Sequence, residues 1–374
     1  MNTKEVAEIR RRYRVDRSNI SRVCGCFVNE KKEIISEFDQ GLGLMGEDDA
    51  GEILSVLKKT LSGKVGRNLL DVEFSTEQVL KGEEHKLLRT LCDSRLKDSD
   101  AVRTLYDKII STLEIEGNFL ILLAADTYDV FRYAADGEQR EESEEIFSYI
   151  LCSICPIKEG KPSLSYDLRG RCFHSVCADT VLSSPTLGFM FPSFDDRHTN
   201  IYKALYYTRD LTDSHGELAD ALFATSLPMP AAAQKETFGA LLEETIEEEC
   251  SLSVIRSVHG QIRQMIEEHK AEKIDEPLIM TKNDASDMLR YCGVSDERIE
   301  AFEEKFSENF GEDTTLPPDN IADQKQVRVK MPDVEIKVAE DRADVLETRV
   351  INGTKYLLIR ADGEITVNGV SVHI

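Results

Sequence analysis

Residues 189–207 have the sequence Phe189-Met-Phe-Pro-Ser-Phe-Asp-Asp-Arg-His-Thr-Asn-Ile-Tyr-Lys-Ala-Leu-Tyr-Tyr207 and carry the strongest signal for the fold. The apolar start of this stretch predicts a strand over residues 187–194. A helix-like run begins near Thr199. A cluster of polar residues lies between the two runs, and the ends of strands often carry functional groups. This cluster is therefore the first candidate for a site.

Two further apolar runs lie upstream, at residues 118–125 and 146–156. Nearly continuous apolar sequence is typical of strands that are buried on both faces, although a buried helix can have the same pattern. A charged loop is predicted between these runs, at residues 136–145. Residues 76–114 have the pattern of two helices that break near residues 98–100. The mixture indicates an α+β protein with a mainly antiparallel sheet and packed helices.

The N-terminal region predicts a capped helix and then a hairpin. Asn2 can cap the helix, and Glu5 follows three residues later, as in a capping box. Strand patterns over residues 20–28 and 33–38, separated by a polar turn, indicate the hairpin.

The C-terminal part contains an acidic helical segment, a linker and a small β module. A Pro-Pro pair and the lack of apolar periodicity predict the linker at residues 311–323. Three two-residue turn signals then predict a small antiparallel meander: Asn352-Gly353, Asp362-Gly363 and Asn368-Gly369. The predicted division is an N-terminal segment (residues 1–74), a central α+β domain (75–233), the acidic helical segment (234–310), the linker (311–323) and the β module (324–374).

Composition limits the classes of protein that fit. The chain has a net charge of −24, which repels nucleic-acid phosphates and anionic membranes and favours basic partners. The best apolar run, residues 119–125, is too short to span a bilayer, and the charged start lacks the apolar core of a signal peptide. The nine cysteines fit reduced thiols better than a disulfide framework. We expect a cytoplasmic protein with no membrane partner.

Three stretches carry a resemblance to a known family: Ile150-Leu-Cys-Ser-Ile-Cys-Pro-Ile-Lys158, the segment 191–208 that begins Phe-Pro-Ser-Phe-Asp-Asp-Arg-His, and Leu227-Pro-Met-Pro-Ala-Ala-Ala-Gln-Lys-Glu-Thr-Phe238. With the start Glu8-Ile-Arg-Arg-Arg12, they make most of the chain resemble a bacterial family of uncharacterised proteins, domain-of-unknown-function family 4317. The resemblance implies a cytoplasmic bacterial protein. No catalytic residue follows from the resemblance. The family segment does not require histidine at position 198 or cysteine at positions 172 and 177.

The polar cluster of residues 195–200 offers the catalytic candidates. Asp195 and Asp196 could hold a divalent cation or divide acid and base roles, with Arg197 and His198 beside them. The alternative is structural: one aspartate caps the helix near Thr199, and Arg197 neutralises the other. We favour the structural role.

Five residues within a short span form a candidate zinc site: Cys152, Cys155, Cys172, His174 and Cys177. Cys-x2-Cys is a usual zinc half-site. Cys152 and Cys155, however, lie in an apolar run, and residues three apart on a strand point to opposite faces. Buried structural thiols are therefore favoured over a metal site, and no cofactor is predicted.

The start of the chain is rich in arginine and forms the candidate nucleic-acid surface. Residues 1–22 hold seven basic and three acidic side chains, and the candidate contacts are Arg10, Arg11, Arg12 and Arg14. On so acidic a protein, a single basic helix more often pairs with the protein's own carboxylates or with a neighbouring subunit. Binding of nucleic acid is therefore not favoured.

Three functions remain in ranked order. The first is a non-catalytic role in protein interaction or assembly, because no known catalytic spacing is present and the surface is acidic; a protein partner or self-association is expected. The second is an enzyme, for example a metal-assisted hydrolase, that uses the Asp195–Asp196 cluster. The third is a nucleic-acid-associated protein that uses the N-terminal arginines.

Overall fold

The computed structural model describes residues 1–133, 139–160, 163–176, 180–272, 276–312, 314–322, 326–331, 333–361, 363, 365–367 and 370–372. The chain forms two compact units, residues 1–230 with 275–277 and residues 231–274 with 278–374. The five-part division predicted from the sequence stays a prediction.

The first unit is built on an eight-stranded antiparallel sheet. The strands of this unit are β1 (Arg22–Val28), β2 (Ile34–Gly41), β3 (Leu69–Glu73), β4 (Phe119–Tyr133), β5 (Gln139–Glu159), β6 (Ser163–Asp167), β7 (Cys172–Val176), β8 (Thr180–Leu182), β9 (Leu187–Phe191), β10 (Ser193–Asp195), β11 (His198–Asn200) and β12 (Lys203–Thr208). The order across the sheet is β2-β1-β4-β5-β9-β12-β3, and β8 pairs with β5. β6 with β7 and β10 with β11 form two separate hairpins.

The α-helices described in the same unit are α1 (Thr3–Arg10), α2 (Glu47–Lys59), α3 (Thr76–Lys81), α4 (Glu83–Asp93), α5 (Ser99–Thr112) and α6 (Gly216–Phe223). α1 and α2 pack on one face of the sheet, and α4, α5 and α6 pack on the other. Leu151 of β5 therefore lies in one core and Cys152 in the other. Burial on both faces explains why the central strands are continuously apolar. The predicted α+β class, with a mainly antiparallel sheet, is confirmed.

Local predictions in this unit have mixed outcomes. The Asn2 cap and its capping box with Glu5 are confirmed. The charged loop predicted at residues 136–145 is wrong from Gln139 onward, because β5 already begins there; residues 136–138 lie outside the described residues. The helical pattern of residues 76–114 forms three helices, since Gly82 separates α3 from α4.

The helices of the second unit are α7 (Ala231–Ile246), α8 (Leu252–Glu272), α9 (Lys282–Tyr291), α10 (Asp296–Phe310) and α11 (Pro318–Ile321). They share a core that includes Phe238, Ile262 and Phe302. Leu316 and Ile321, both 1% exposed, belong to this core, and Leu316 exchanges two backbone hydrogen bonds with Met280. The predicted linker therefore contains packed residues. Among the helices of the described residues, none is long and apolar enough to cross a bilayer.

The strands at the end of the chain are β13 (Gln326–Met331), β14 (Val334–Ala339), β15 (Leu346–Ile351), β16 (Thr354–Ile359), β17 (Ile365–Val367) and β18 (Val370–Val372). They form three two-stranded antiparallel hairpins, and no ladder joins one hairpin to the next within the described residues. The predicted antiparallel β module at the end of the chain is thus present as hairpins, and its arrangement as a meander stays a prediction. Asn352 and Gly353 have φ values of 52° and 80°, as a type I′ turn requires. Asp362, Asn368 and Gly369 lie outside the described residues.

Candidate functional site

The polar cluster of residues 195–200 forms the tight turn of the β10–β11 hairpin. Asp195 lies opposite His198 in the antiparallel register. Asp196 and Arg197 form the turn with φ values of 51° and 60°, the pattern of a type I′ turn. The helix predicted near Thr199, with an aspartate as its cap, is therefore wrong. The chain continues into β12 instead, because pairing with β3 and β9 on both sides overrides the local helical pattern.

Asp195 is held by three neighbours. Its carboxylate lies 3.6 Å from the N-terminal ammonium of Met1 and 3.5 Å from Nζ of Lys203, and it accepts a 3.1 Å hydrogen bond from Nδ2 of Asn200. Burial alone would raise the pKa of Asp195, but the ammonium, Asn200 and Lys203 outweigh burial and lower that pKa. The charge of Asp195 is thus balanced within the protein.

Two further carboxylates surround the same ammonium. Met1 donates to both oxygens of Asp71 at 3.2 Å, and Glu5 accepts a 2.7 Å hydrogen bond from the backbone N–H of Asn2. Burial raises the pKa of Asp71 and of Glu5, and the ammonium offsets that effect only in part. These contacts make the acidic cluster an anchor for α1.

Arg197 pairs with α1 as well. Its Nη1 donates a 2.9 Å hydrogen bond to Glu8, whose other carboxylate oxygen accepts from the hydroxyl of Tyr128. The sequence predicted that Arg197 would neutralise an aspartate of the cluster. Lys203 and the ammonium fill that role for Asp195, and Arg197 joins the turn to the first helix.

Asp196 and His198 face different surroundings from Asp195. Asp196 is exposed and has no ion-pair partner among the residues that the structure describes. His198 Nδ1 lies 2.6 Å from Glu145, which also accepts a 2.9 Å hydrogen bond from the backbone N–H of Thr199. Hydrogen bonds from Thr199 and then from His198 lower the pKa of Glu145. Asp195 and Asp196 therefore do not share the contacts that a paired-carboxylate site needs.

The five candidate zinc ligands lie in different settings. Cys152 and Cys155 are fully buried in β5, and burial raises the pKa of both thiols, that of Cys155 to about 12. Cys172 begins β7 and is exposed; His174 lies within β7, and Cys177 lies outside the described residues. Within the described part of the chain, no three His, Cys, Asp or Glu side chains are arranged to hold a metal ion.

The N-terminal arginines are partly used inside the protein. Arg12 lies 3.4 Å from the buried Asp126, donates a 2.9 Å hydrogen bond to the carbonyl of Thr127 and stacks 4.5 Å from the ring of Tyr128. The other three candidates are more open: Arg10 is half-buried, and Arg11 and Arg14 are exposed, with Arg14 paired to Asp16.

A shallow groove of about 590 Å³ lies along α3 and α4. His85, which lines it, is nearly buried, and its Nε2 donates a 2.9 Å hydrogen bond to the carbonyl of Ile201. The charged residues that line the groove include both signs: Lys81, Glu83, Lys86, Arg89 and Asp93. Because the groove carries charges of both signs, it does not favour an anionic ligand over a cationic one.

One surface has no counterpart among the sites predicted from the sequence: the hairpin of β6 and β7, which we call the solvent-facing hairpin (residues 163–176). Tyr166 lies opposite Phe173, and Leu164 lies two residues before Tyr166, so all three side chains share one face. They are 71% (Leu164), 48% (Tyr166) and 67% (Phe173) exposed; on the opposite face, Ser165 and Asp167 are half-buried and Cys172 is exposed. An antiparallel sheet with one solvated face normally turns its apolar side inward. Here the apolar side faces solvent.

The tip of the solvent-facing hairpin is apolar and basic. Leu168 is 82% exposed, and Arg169 and Arg171 beside it are exposed and have no ion-pair partner among the residues described. The period-two alternation of Leu164, Tyr166 and Leu168 with polar residues was visible in the sequence. Such alternation predicts a strand with one apolar face, but it does not tell which way that face points.

The fold and these surfaces define an α+β protein with an antiparallel sheet, helices on both of its faces and C-terminal hairpins. The chain belongs to the family described as Domain of unknown function (DUF4317), whose model matches residues 1–370. No curated protein matches the chain.

Proposed function

We propose that this protein has a non-catalytic role in which it binds another protein through the solvent-facing hairpin. The observation that carries the proposal is the outward apolar face of Leu164, Tyr166 and Phe173. Each Å² of apolar surface left in water forgoes about 25 cal/mol of stabilisation, so an exposed apolar cluster is expected to be covered by a partner.

The contacts of the other candidate site residues support a protein-binding role over the enzyme and nucleic-acid alternatives. Asp195 is balanced by Met1 and Lys203, and Arg12 is engaged with Asp126, so both act in holding α1 to the sheet. The cytoplasmic location is part of the same proposal. It is supported by the eight described cysteines, which are free thiols, as is usual in a reducing compartment.

Photo-crosslinking in cells tests the proposal. The photoreactive residue p-benzoylphenylalanine is placed at Phe173 in one variant and at Leu80 in a control; Leu80 is 74% exposed on α3. We expect a discrete crosslinked protein for position 173 that mass spectrometry can identify, and none for position 80. Equal labelling at the two positions, or none at position 173, would contradict a protein-binding role for the hairpin.

A further inference from the structure

We propose that Lys59, Ser184 and Arg209 form a binding site for a small ligand that carries a phosphate group. The site lies at one end of the sheet in the first unit, where three loops meet. It is separate from the solvent-facing hairpin, so the inference goes beyond the proposed function. Three features support it: the convergence of the loops, the anchoring of two cations on neighbouring residues, and a local charge opposite to that of the whole chain.

The three loops connect α2 to β3, β8 to β9, and β12 to α6: residues 60–68, 183–186 and 209–215. The registers of β12 with β3 and with β9 place all three loops at the same end of the sheet. Backbone hydrogen bonds join them. The N–H of Thr208 donates to the carbonyl of Asn68 at 2.9 Å, and that of Arg209 donates to the carbonyl of Thr186 at 2.8 Å. Side chains from distant parts of the sequence are therefore brought together there.

Two cationic side chains are fixed on neighbouring residues of the loop 183–186. Nζ of Lys59 donates a 3.0 Å hydrogen bond to Oγ of Ser184. Nη2 of Arg209 donates a 2.6 Å hydrogen bond to the carbonyl of Pro185. Both acceptors are neutral, and neither cation has an ion-pair partner among the residues that the structure describes. Lys59 and Arg209 are also exposed, so a ligand can reach both charges from solvent.

The two loops that carry Lys59 and Ser184 are poor in acidic residues. Residues 53–70 contain no Asp or Glu, and residues 183–194 contain no charged residue. The first of these stretches holds four basic side chains: Lys58, Lys59, Lys64 and Arg67. The chain as a whole has a net charge of −24, so this end of the sheet has a charge opposite to the average.

The acidic residues of the third loop, residues 209–215, have partners within that loop. Asp210 accepts hydrogen bonds from the backbone N–H and the hydroxyl of Thr212, at 2.8 and 2.7 Å. Asp213 accepts a 2.8 Å hydrogen bond from the backbone N–H of His215. These carboxylates are therefore occupied locally and do not form an ion pair with Arg209.

Two further observations concern the same end of the sheet. Burial raises the pKa of the Cys155 thiol to about 12, and Arg209 and Lys59 oppose that effect, so both cations act on one point of β5. Nε of Arg67, in the loop 60–68, is buried and has no hydrogen-bond partner in the described part of the chain. Buried donors are normally satisfied, and a phosphate oxygen can accept from such a group.

The types of donor indicate the class of ligand. An ammonium group, a guanidinium fork and a hydroxyl are groups that bind phosphate oxygens in proteins. Exposed charges act over about 8 Å at physiological ionic strength, so a small anion senses mainly the cations of the site. A nucleic acid would extend over the acidic surface of the chain and be repelled there. The geometry therefore favours a small phosphate-bearing ligand over a polyanion.

Isothermal titration calorimetry of the full chain with sodium pyrophosphate tests the site. We expect a dissociation constant on the order of 0.1–1 mM at low ionic strength. The double variant Lys59→Gln/Arg209→Gln should bind at least ~10-fold more weakly, because both charge-assisted contacts are lost. Arg95→Gln/Lys97→Gln is the matched control: it removes the same charge from two exposed side chains that have no ion-pair partner among the described residues. A parent that does not bind pyrophosphate, or a control that loses as much affinity as the double variant, would overturn the inference.

Single variants keep the inference testable if the double variant does not fold, which urea denaturation checks. Lys59→Gln and Arg209→Gln should each weaken pyrophosphate binding by about 3- to 10-fold. Arg209→Lys should weaken it less than Arg209→Gln, because it keeps the charge and loses only the guanidinium fork. Affinity that neither Lys59→Gln nor Arg209→Gln changes would show that the two side chains do not form a site.

Inorganic phosphate and phenyl phosphate, titrated in the same way, distinguish the source of the phosphate group. Tighter binding of phenyl phosphate supports a phosphate ester of an organic molecule as the ligand, and equal affinities support the free anion. A short single-stranded RNA that binds more tightly than pyrophosphate, and that Lys59→Gln/Arg209→Gln no longer binds, overturns the small ligand in favour of a nucleic acid. These titrations do not involve the solvent-facing hairpin, so their failure would leave the proposed protein-binding role standing.

Discussion

The guanidinium of Arg197 donates a 2.9 Å hydrogen bond to the carboxylate of Glu8 and so joins two positions that are 189 residues apart in the sequence. Glu8 belongs to α1, and Arg197 forms the turn between β10 and β11. The pair is partly shielded, with side-chain exposures of 35% and 22%. The cluster that first suggested a site is thus a clasp between the start of the chain and the β10–β11 hairpin, which packs in the same core as α1.

Removal of the Arg197–Glu8 contact should destabilise the first unit. We expect Arg197→Ala to lower the free energy of unfolding by about 1–2 kcal/mol, since a partly buried hydrogen bond between charged groups is lost. Urea denaturation measures this change. Arg11→Ala, at an exposed arginine, should alter the same quantity by less than ~0.5 kcal/mol. Equal effects of the two substitutions would show that the Arg197–Glu8 contact does not contribute to the free energy of unfolding.

Glu145 should make the stability of this region depend on pH. Its pKa is below the ordinary value of 4.5, because Thr199 and then His198 donate hydrogen bonds to the ionised carboxylate. A carboxyl group whose pKa is lowered by folding adds stability above its unfolded pKa, and that stability is lost as the pH falls through the folded pKa. The melting temperature of Glu145→Gln should therefore lie below that of the parent at about pH 6 and approach it at about pH 3. A difference in melting temperature that is the same at both pH values would contradict the lowered pKa of Glu145.

Arg12 should stabilise the fold. Arg12→Ala leaves Asp126, which is 4% exposed, without its ion-pair partner, and we expect a loss of about 2–4 kcal/mol. The same substitution at Arg14, whose contact with Asp16 is exposed, should cost less than about 1 kcal/mol. Thermal or urea denaturation of the two variants compares them directly.

The same arginines provide the test of nucleic-acid binding. Mobility shifts of the parent with DNA and with RNA at physiological salt should show no complex, because the net charge of −24 opposes phosphate. The relevant variant is Arg11→Ala/Arg14→Ala, since these two side chains are exposed and can be changed without loss of the Arg12 contact. A tight, salt-sensitive shift that this variant abolishes would make nucleic-acid binding the leading function.

The buried thiols should be unreactive and should not hold zinc. Cys152 and Cys155 are fully buried with raised pKa values, so iodoacetamide should label them only after unfolding, whereas Cys172 should react in the native protein. Alkylation followed by peptide mass spectrometry measures each rate. Elemental analysis should find no stoichiometric zinc. Zinc that is present in the parent and lost in Cys152→Ser/Cys155→Ser would refute this view of the site.

Leu316 should be important for the second unit, although it lies in the segment predicted as a linker. We expect Leu316→Ala to cost about 2–4 kcal/mol, because it opens a cavity in the helical core. Ile279→Ala, at a residue that is 50% exposed, should cost less than about 1 kcal/mol. Denaturation of both variants decides whether residues 311–323 form a free linker, in which case Leu316→Ala would have no effect.

Two local signals in the sequence, the spacing of apolar residues and the residue types at turns, were enough to predict the main elements of the fold. The apolar run around Cys152 indicated a strand buried on both faces, and Asn352-Gly353 indicated a hairpin, because both signals are local. The segment after Arg197 was misjudged because its strand depends on partners in β3 and β9 that are distant in the sequence.

The candidate site was less predictable than the fold. The residues of the cluster were identified, but their partners were not, since Glu8 and Met1 are almost two hundred positions away from Asp195 and Arg197. The solvent-facing hairpin was missed for a different reason. Alternation in Leu164, Tyr166 and Leu168 defines a face, and only the three-dimensional structure shows that the face is left in water.

The position of β3 at the edge of the sheet has a consequence for synthesis of the chain. β3 pairs with β12 among the described strands, and Asn68, just before β3, bonds to Thr208 at a separation of 140 positions. A ribosome adds roughly 5–20 residues per second, so β3 waits several seconds for its partner while β1 and β2 can already pair. During that interval both edges of this apolar strand are unpaired, which is the condition that favours association between nascent chains. Translation speed between these two strands should therefore influence the yield of folded protein.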